Sequence, residues 1–231
     1  GVEIVTGIDV DSLSKIEALV KEVKPVAVIN CIGLIKQLPD AKKATPSIRI
    51  NALFPHQLAD IVRKTDSRLI HFSTDCVYSG LGGNYSESDP TDPQDIYGKS
   101  KAMGEVDGPQ CLTIRSSIIG PELDSQLGLF EWFYSQRGQK VNGFSRVMYT
   151  GLPTLEMSKL VLRIIRQHPD LNGIYNVASQ PISKLEILKI INQEMDLKTE
   201  IADKADVVLD RTLNGTRFRE ATGYVAPSWK E

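Results

Sequence analysis

Tyr97 and Lys101 stand four residues apart in "IYGKSKAMGE" (96–105), a spacing that on a helix puts both side chains on one face, one turn from each other. A phenol with a pKa of about 10 gives up its proton poorly at neutral pH. A fixed ammonium beside it favours phenolate and brings proton transfer within range. Upstream, "HFSTDCVYSG" (71–80) begins like a buried strand and ends like an exposed loop, with Ser73, Thr74 and Asp75 where the two meet. Thr74 could hydrogen-bond the carbonyl oxygen that Tyr97 protonates while a hydride arrives on the carbon. Each part also has a plainer explanation. Ser, Thr and Asp often cap a strand-to-loop turn, and a lone YxxxK usually marks an exposed amphipathic turn.

Such residues need elements to hold them, and strand-like and helix-like segments alternate along the chain. "VEIVTG" (2–7) reads as a short strand, and "DSLSKIEALVKEV" (11–23) carries Leu13, Ile16, Leu19, Val20 and Val23 at helical spacing behind Asp11 as N-cap. "PVAVINCIG" (25–33) is the apolar, β-branched run expected of a parallel strand covered on both faces. A helix over 47–64, a strand at 68–73, a helix at 96–105 and a strand at 111–117 continue the rhythm. The pattern predicts an α/β fold with a Rossmann-like, doubly wound parallel sheet. In such sheets ligands bind beyond the carboxyl ends of the strands, which is where Ser73, Thr74 and Asp75 lie. After Gly120 the spacing predicts helices near 126–136 and over 155–167, the latter with Met157, Leu160, Val161, Ile164 and Ile165 on one face. A strand follows at 173–178, then a helix opened by Ser183 and Glu186 in capping-box spacing.

Composition excludes several classes of function. The 27 basic residues nearly balance the 29 acidic ones in 231 residues, with no clustering that suggests nucleic acid or a membrane surface as partner. Cys31, Cys76 and Cys111 are far apart and without CxxC spacing, which argues against a disulfide framework or a zinc site and for a reducing, cytoplasmic setting. No apolar run approaches the roughly 18 residues of a membrane span, and no signal-peptide pattern opens the sequence. No carboxylate or histidine cluster has metal-ligand spacing. His56, His71 and His168 are well separated, and His71 reads as a packed strand residue.

A strand-end Ser/Thr followed by YxxxK resembles the extended short-chain dehydrogenase/reductases. Within them, "HFSTDCVYSG", "GGNYSESDPTDPQDIYGKSKAMGE" and "TGLPT" together are most similar to the dTDP-4-dehydrorhamnose reductase and sugar-nucleotide-binding family, over nearly the whole chain from "GIDV" to "TGYVAPSW". The resemblance implies Thr74, Tyr97 and Lys101 as the catalytic set, with Lys101 also holding the nicotinamide ribose of NADP(H) or NAD(H). It places Asp9 and Val10 at the adenine, although Asp9 also reads as a helix-capping partner. It lays Asn30, Cys31, Ile32, Gly33 and Leu34 along the cofactor, with Cys31 a small wall residue rather than a nucleophile. Asp75 would face the sugar. Ile118 falls where the reductases often carry a tryptophan near the sugar, a departure that leaves substrate placement open. Arg146, before "TGLPT", could bind a diphosphate or be an exposed surface arginine.

The family also opens with a strand, a glycine-rich turn and a helix N-terminus that receives the pyrophosphate. No GxxGxxG occurs in this sequence, and "SGLGGN" (79–84) precedes no helix and reads as a flexible turn. The expectation is therefore a fragment lacking the first βαβ portion, from a protein longer by roughly fifty residues. Residues 1–122 would form an incomplete dinucleotide-binding domain. Residues 123–231 would form mostly a small substrate-binding lobe, with 146–180 returning to the sheet. The usual NAD/NADP discriminator at the end of the second strand is missing; the family favours NADPH or tolerance of both. The implied activity is NAD(P)H-dependent reduction of the 4-keto group of a nucleotide-linked deoxysugar, in making a surface-polysaccharide precursor. A nucleotide-sugar epimerase or another keto-sugar reductase would share the same triad. A non-catalytic subunit, as in the related regulatory subunit of methionine adenosyltransferase, is a third reading, against which the intact triad argues. A homodimer is compatible with all three.

Overall fold

The computed structural model describes residues 3–123 and 125–231. Two compact units are interleaved along the chain: residues 1–73, 95–114 and 170–174 make the first, and residues 74–94, 115–169 and 175–231 the second.

The first unit is built on strands β1 (Ala27–Asn30), β2 (Arg68–Phe72) and β3 (Cys111–Arg115), joined by a fourth strand at Gly173–Asn176 in the order β1, β2, β3, fourth. The β1/β2 and β2/β3 pairs are parallel, with Asn30 opposite His71 and His71 opposite Thr113. Parallel strands buried on both faces need near-continuous apolar sequence, and Leu69, Ile70, Leu112 and Ile114 are all fully buried. Flanking helices cover the sheet: α1 (Leu13–Val23), a run of α2 (Ala44–Ser47), a π-turn (Ile48–Leu53) and α3 (Phe54–Val62), then α4 (Ile96–Met103). Phe54, Leu58, Ala59 and Val62 of α3 pack with Leu69, Val106 and Cys111, and Leu13 and Ile16 of α1 close the cluster. Pro55 lacks an N–H and crowds the carbonyl one turn back; the π-turn lies immediately before α3, which carries that proline near its start.

In the second unit, β4 (Ile118–Ile119) pairs in parallel with β7 (Leu152–Pro153), and β5 (Lys140–Phe144) with β10 (Glu200–Lys204). Strand β6 (Val147–Tyr149) lies between β9 (Ile182–Ser183) and β11 (Leu209–Asp210). Helices α5 (Leu129–Ser135), α6 (Thr154–Gln167), α7 (Lys184–Glu194) and α8 (Thr216–Thr222) complete it, and the strand Gly173–Asn176 is β8. Of residues 146–180, β8 joins the four-stranded sheet while β6 and β7 pair in smaller ones.

The parallel sheet with flanking helices is the architecture the alternation predicts. Three local expectations are corrected. Residues 3–7 form no strand, since no neighbour ladders with them among the described residues, and Val2 lies outside those residues. Helix α1 starts behind Ser12 rather than Asp11, because Asp9 makes the turn: its Oδ1 accepts from the Asp11 N–H and the Ser12 hydroxyl at 2.9 and 3.1 Å. "SGLGGN" is tied down by hydrogen bonds rather than left free, the Asp210 N–H donating to the Gly80 carbonyl at 2.8 Å and the Asn84 N–H to Thr212 Oγ1 at 2.7 Å. Gly80 and Gly83 have φ of +86° and +71°, and a Cβ on Gly83 would meet the Asp210 carboxylate at 2.3 Å. The remaining boundaries fall within a few residues of expectation, and the capping box of α7 forms with both reciprocal bonds present.

Candidate active site

Asp95 sets the start of α4, its carboxylate accepting from the Gly98 N–H at 2.8 Å. The helix then carries Tyr97, half-buried, and Lys101, 6% exposed, one turn apart. The Lys101 ammonium donates to the Phe72 carbonyl at the end of β2 at 2.6 Å. Burial drives its pKa down to about 8, while the Glu105 carboxylate one turn further on pulls the other way. Glu105 in turn accepts from the Ser73 hydroxyl at 2.7 Å, tying the strand end to the segment after the helix.

The Asn30–Leu34 run comes to the same place. A Cβ on Gly33 would stand 4.0 Å from Lys101 Nζ and 3.3 Å from Asn51 Oδ1. Asn30, buried at the end of β1, turns the chain by accepting from the Ile32 N–H at 3.1 Å, so its amide nitrogen faces His71 Nδ1 at 3.0 Å. His71 Nδ1 is then the acceptor and its proton sits on Nε2. Burial first, then the charges of Lys101 and His56, hold the His71 pKa far below its usual value, so the ring is neutral. Cys31, Ile32 and Gly33 remain exposed, leaving this face open to a ligand. Asp9 is exposed with its carboxylate engaged in its own turn, and Val10 packs on the α3 cluster.

Sequence reasoning missed Asn51. Fully buried on the π-turn, it clamps Leu34 through both backbone groups at 2.8 and 3.1 Å and donates to Ser100 Oγ at 3.2 Å. An asparagine between Ile50 and the apolar residues Ala52–Phe54, a few residues before a proline, was the available signal.

The second unit begins at Thr74. Its hydroxyl oxygen caps the short turn Asp75–Val77 by accepting from the Cys76 N–H at 3.2 Å, and the hydroxyl lies 3.2 Å from Asp75 Oδ1. The Thr74 oxygen that the sequence singles out for chemistry is thus the one that caps this turn. Tyr78 holds the loop beyond: its ring stacks on Tyr85 at 4.3 Å, and its hydroxyl donates to the Ser86 carbonyl and accepts from Arg115. Arg211 also reaches this loop, donating from Nε to the Tyr78 carbonyl at 2.9 Å. Ile118 on β4 is 48% exposed and Arg146 is exposed beside β6, neither drawn into a cluster with Asp75. Among the described residues no group of three or more His, Cys, Asp or Glu side chains is placed to hold a metal ion, and no helix is long and apolar enough to cross a membrane.

Residues 3–231 match the family described as RmlD substrate binding domain. The chain belongs to that family. Among curated proteins, this family member is 27% identical over 184 residues to the spore coat polysaccharide biosynthesis protein SpsK of Bacillus subtilis, covering 77% of this chain and 64% of that one. It is 30% identical over 99 residues to a dTDP-4-dehydrorhamnose reductase of Streptomyces griseus, covering 42% and 33%. The chain thus spans less than two thirds of the length of either relative. Among solved structures, a dTDP-4-dehydrorhamnose reductase of Bacillus anthracis in complex with NADP superposes with a TM-score of 0.82 at 20% identity, over 96% of this chain and 82% of that one. This last likeness concerns the fold.

Proposed function

We propose that the protein carrying this chain reduces the 4-keto group of a dTDP-linked deoxysugar, in the cytoplasm, toward a surface-polysaccharide precursor. The observation that carries the reading is Lys101: a buried ammonium, one helical turn from Tyr97, beside the Asn30–Leu34 run, of which Cys31, Ile32 and Gly33 are exposed. That run and the lysine fit a nicotinamide cofactor, with Asn51 and Asn30 setting the backbone that would lie along it. NADPH or NADH would supply the hydride when bound. Lys101 would hold the ribose and favour the phenolate of Tyr97, and Tyr97 would give its proton to the carbonyl oxygen. Thr74 would donate to that oxygen as charge develops on it, and Asp75 would face the hexose. Asp9 and Val10 would lie toward the adenine; Ile118 and Arg146 would belong to the substrate side, within a sugar-binding lobe drawn mostly from residues 123–231.

Incubating the full-length protein with NADPH and dTDP-4-dehydrorhamnose tests this. Stoichiometric cofactor oxidation with formation of a 4-hydroxy sugar is expected. Interconversion of sugars without net cofactor consumption would instead identify an epimerase, and binding without turnover a regulatory subunit.

A further inference from the structure

His71 is fully buried in the sheet of the first unit, with Asn30 opposite it on β1 and Thr113 opposite it on β3. Strand positions of this kind are usually apolar, as Leu69 and Ile70 just before it are. The imidazole is costly here, because its Nε2 has no hydrogen-bond partner among the described residues and an unpaired buried donor lowers stability. The Thr113 hydroxyl is turned to Val106 instead, accepting from its N–H at 3.1 Å and donating to its carbonyl at 2.7 Å. What the ring supplies in return is a single acceptor, Nδ1, 3.0 Å from the Asn30 amide nitrogen.

That contact decides which way the Asn30 amide faces. Asn30 is 3% exposed, and its Oδ1 accepts from the Ile32 N–H at 3.1 Å, the bond that turns the chain at the end of β1. Rotated by half a turn, the amide would set its NH2 against the Ile32 N–H and its oxygen against the Nδ1 lone pair, so both bonds would be lost together. A ring with a proton on Nδ1, either the other tautomer or the cation, would favour the rotated amide. The surroundings disfavour the cation: burial first, then the Lys101 ammonium on α4 and His56 on α3, keep the ring neutral. The residues that leave this turn are Cys31, Ile32 and Gly33, all exposed, and a Cβ on Gly33 would stand 4.0 Å from Lys101 Nζ.

We propose that His71 is a positioning residue for cofactor binding: as the Nε2–H tautomer it locks the Asn30 amide, and the locked amide sets the turn at Ile32 that presents residues 31–34 to a nicotinamide cofactor. This rests on the nicotinamide reading above. It makes a fully buried side chain a determinant of cofactor affinity, acting through Asn30 alone.

The test compares His71→Asn with His71→Leu in the full-length protein, by calorimetric titration with NADPH and by thermal melting. Asparagine sets its Oδ1 near the place of Nδ1, and leucine has nearly the same size without the acceptor, so the difference between the two reports the hydrogen bond rather than the lost volume. His71→Leu is expected to bind NADPH roughly tenfold more weakly than His71→Asn. A merely structural role would lower the melting temperature and leave the two folded variants with equal affinity. Nitrogen-15 spectra of the histidine-labelled wild type should show the His71 proton on Nε2 and a bare Nδ1, a readout that needs no variant to fold. Equal NADPH affinities in the two folded variants, or a proton on Nδ1, overturns the inference and leaves the nicotinamide reading standing. A wild type that binds neither NADPH nor NADH overturns both.

Discussion

Lys101 and Tyr149 are buried to similar depth, 6% and 8% exposed, but their polar atoms are treated differently. Around Lys101 the groups are paired in advance: the ammonium on Phe72, Asn51 on Leu34 and Ser100, Asn30 on Ile32 and His71, Ser73 on Glu105. Only His71 Nε2 lacks a partner there among the described residues. Around Tyr149 the hydroxyl is unpaired, and Ile118 and Arg146 of the same unit stand open to solvent. A pre-paired network fixes geometry before a ligand arrives, whereas an unpaired buried donor keeps a hydrogen bond in reserve. Held in advance, the groups around Lys101 suit the chemistry proposed for Tyr97, whereas the Tyr149 hydroxyl is left with its hydrogen bond unmade.

Several changes would break or sharpen this contrast. In the proposed chemistry Lys101→Met removes the charge that would make Tyr97 an effective acid, and turnover is expected to fall by about two to four orders of magnitude. Its melting temperature should hold or rise, since a neutral side chain no longer carries the desolvation cost; a collapse of the fold would reduce Lys101 to a structural residue. Thr74→Val should cost on the order of a hundredfold in kcat by deleting the proposed donor to the developing oxyanion, with cofactor affinity unchanged. Asn51→Ala leaves the Leu34 amide and carbonyl without their clamp. Stability should drop by about 2–3 kcal/mol, read by urea melts, and cofactor affinity should weaken with it.

The pH dependence follows from Lys101. Its ammonium exists below about pH 8 in the fold, so kcat is expected to fall as pH rises through that value. The unfolded lysine keeps its proton to a pKa of about 10.4, so between the two values the unfolded state binds more protons and stability rises with pH. Glu105→Gln removes a charge that supports the ammonium. It should shift the alkaline limb of the rate profile to lower pH, the smallest effect of the series. A limb unmoved by this change would show that another group controls it.

Much of the first unit was legible because apolar, β-branched runs mark strands and helical spacing marks sheet-covering helices, as in "PVAVINCIG" and the 11–23 helix, although Ile29 is 43% exposed, so that β1 is not covered on both faces as its sequence suggests. Tyr97 and Lys101 were legible through helical spacing. Asn51 was not, because its role depends on a π-turn that brings it to Leu34 across 17 positions. Tyr149 was hidden for a similar reason: a tyrosine alternating with valine in a short strand reads as core, and only the approach of Gly151 shows where its hydroxyl goes. The 2–7 segment looked like a strand from its alternation alone, but a strand needs a neighbour to take its hydrogen bonds.

The most direct test of the Tyr97–Lys101 chemistry is Tyr97→Phe in the full-length protein, with NADPH affinity and single-turnover hydride transfer measured on the same preparation. The phenol oxygen as proton donor predicts near-normal cofactor binding with transfer slowed by roughly two to four orders of magnitude. Transfer at the wild-type rate, with binding intact, would contradict it.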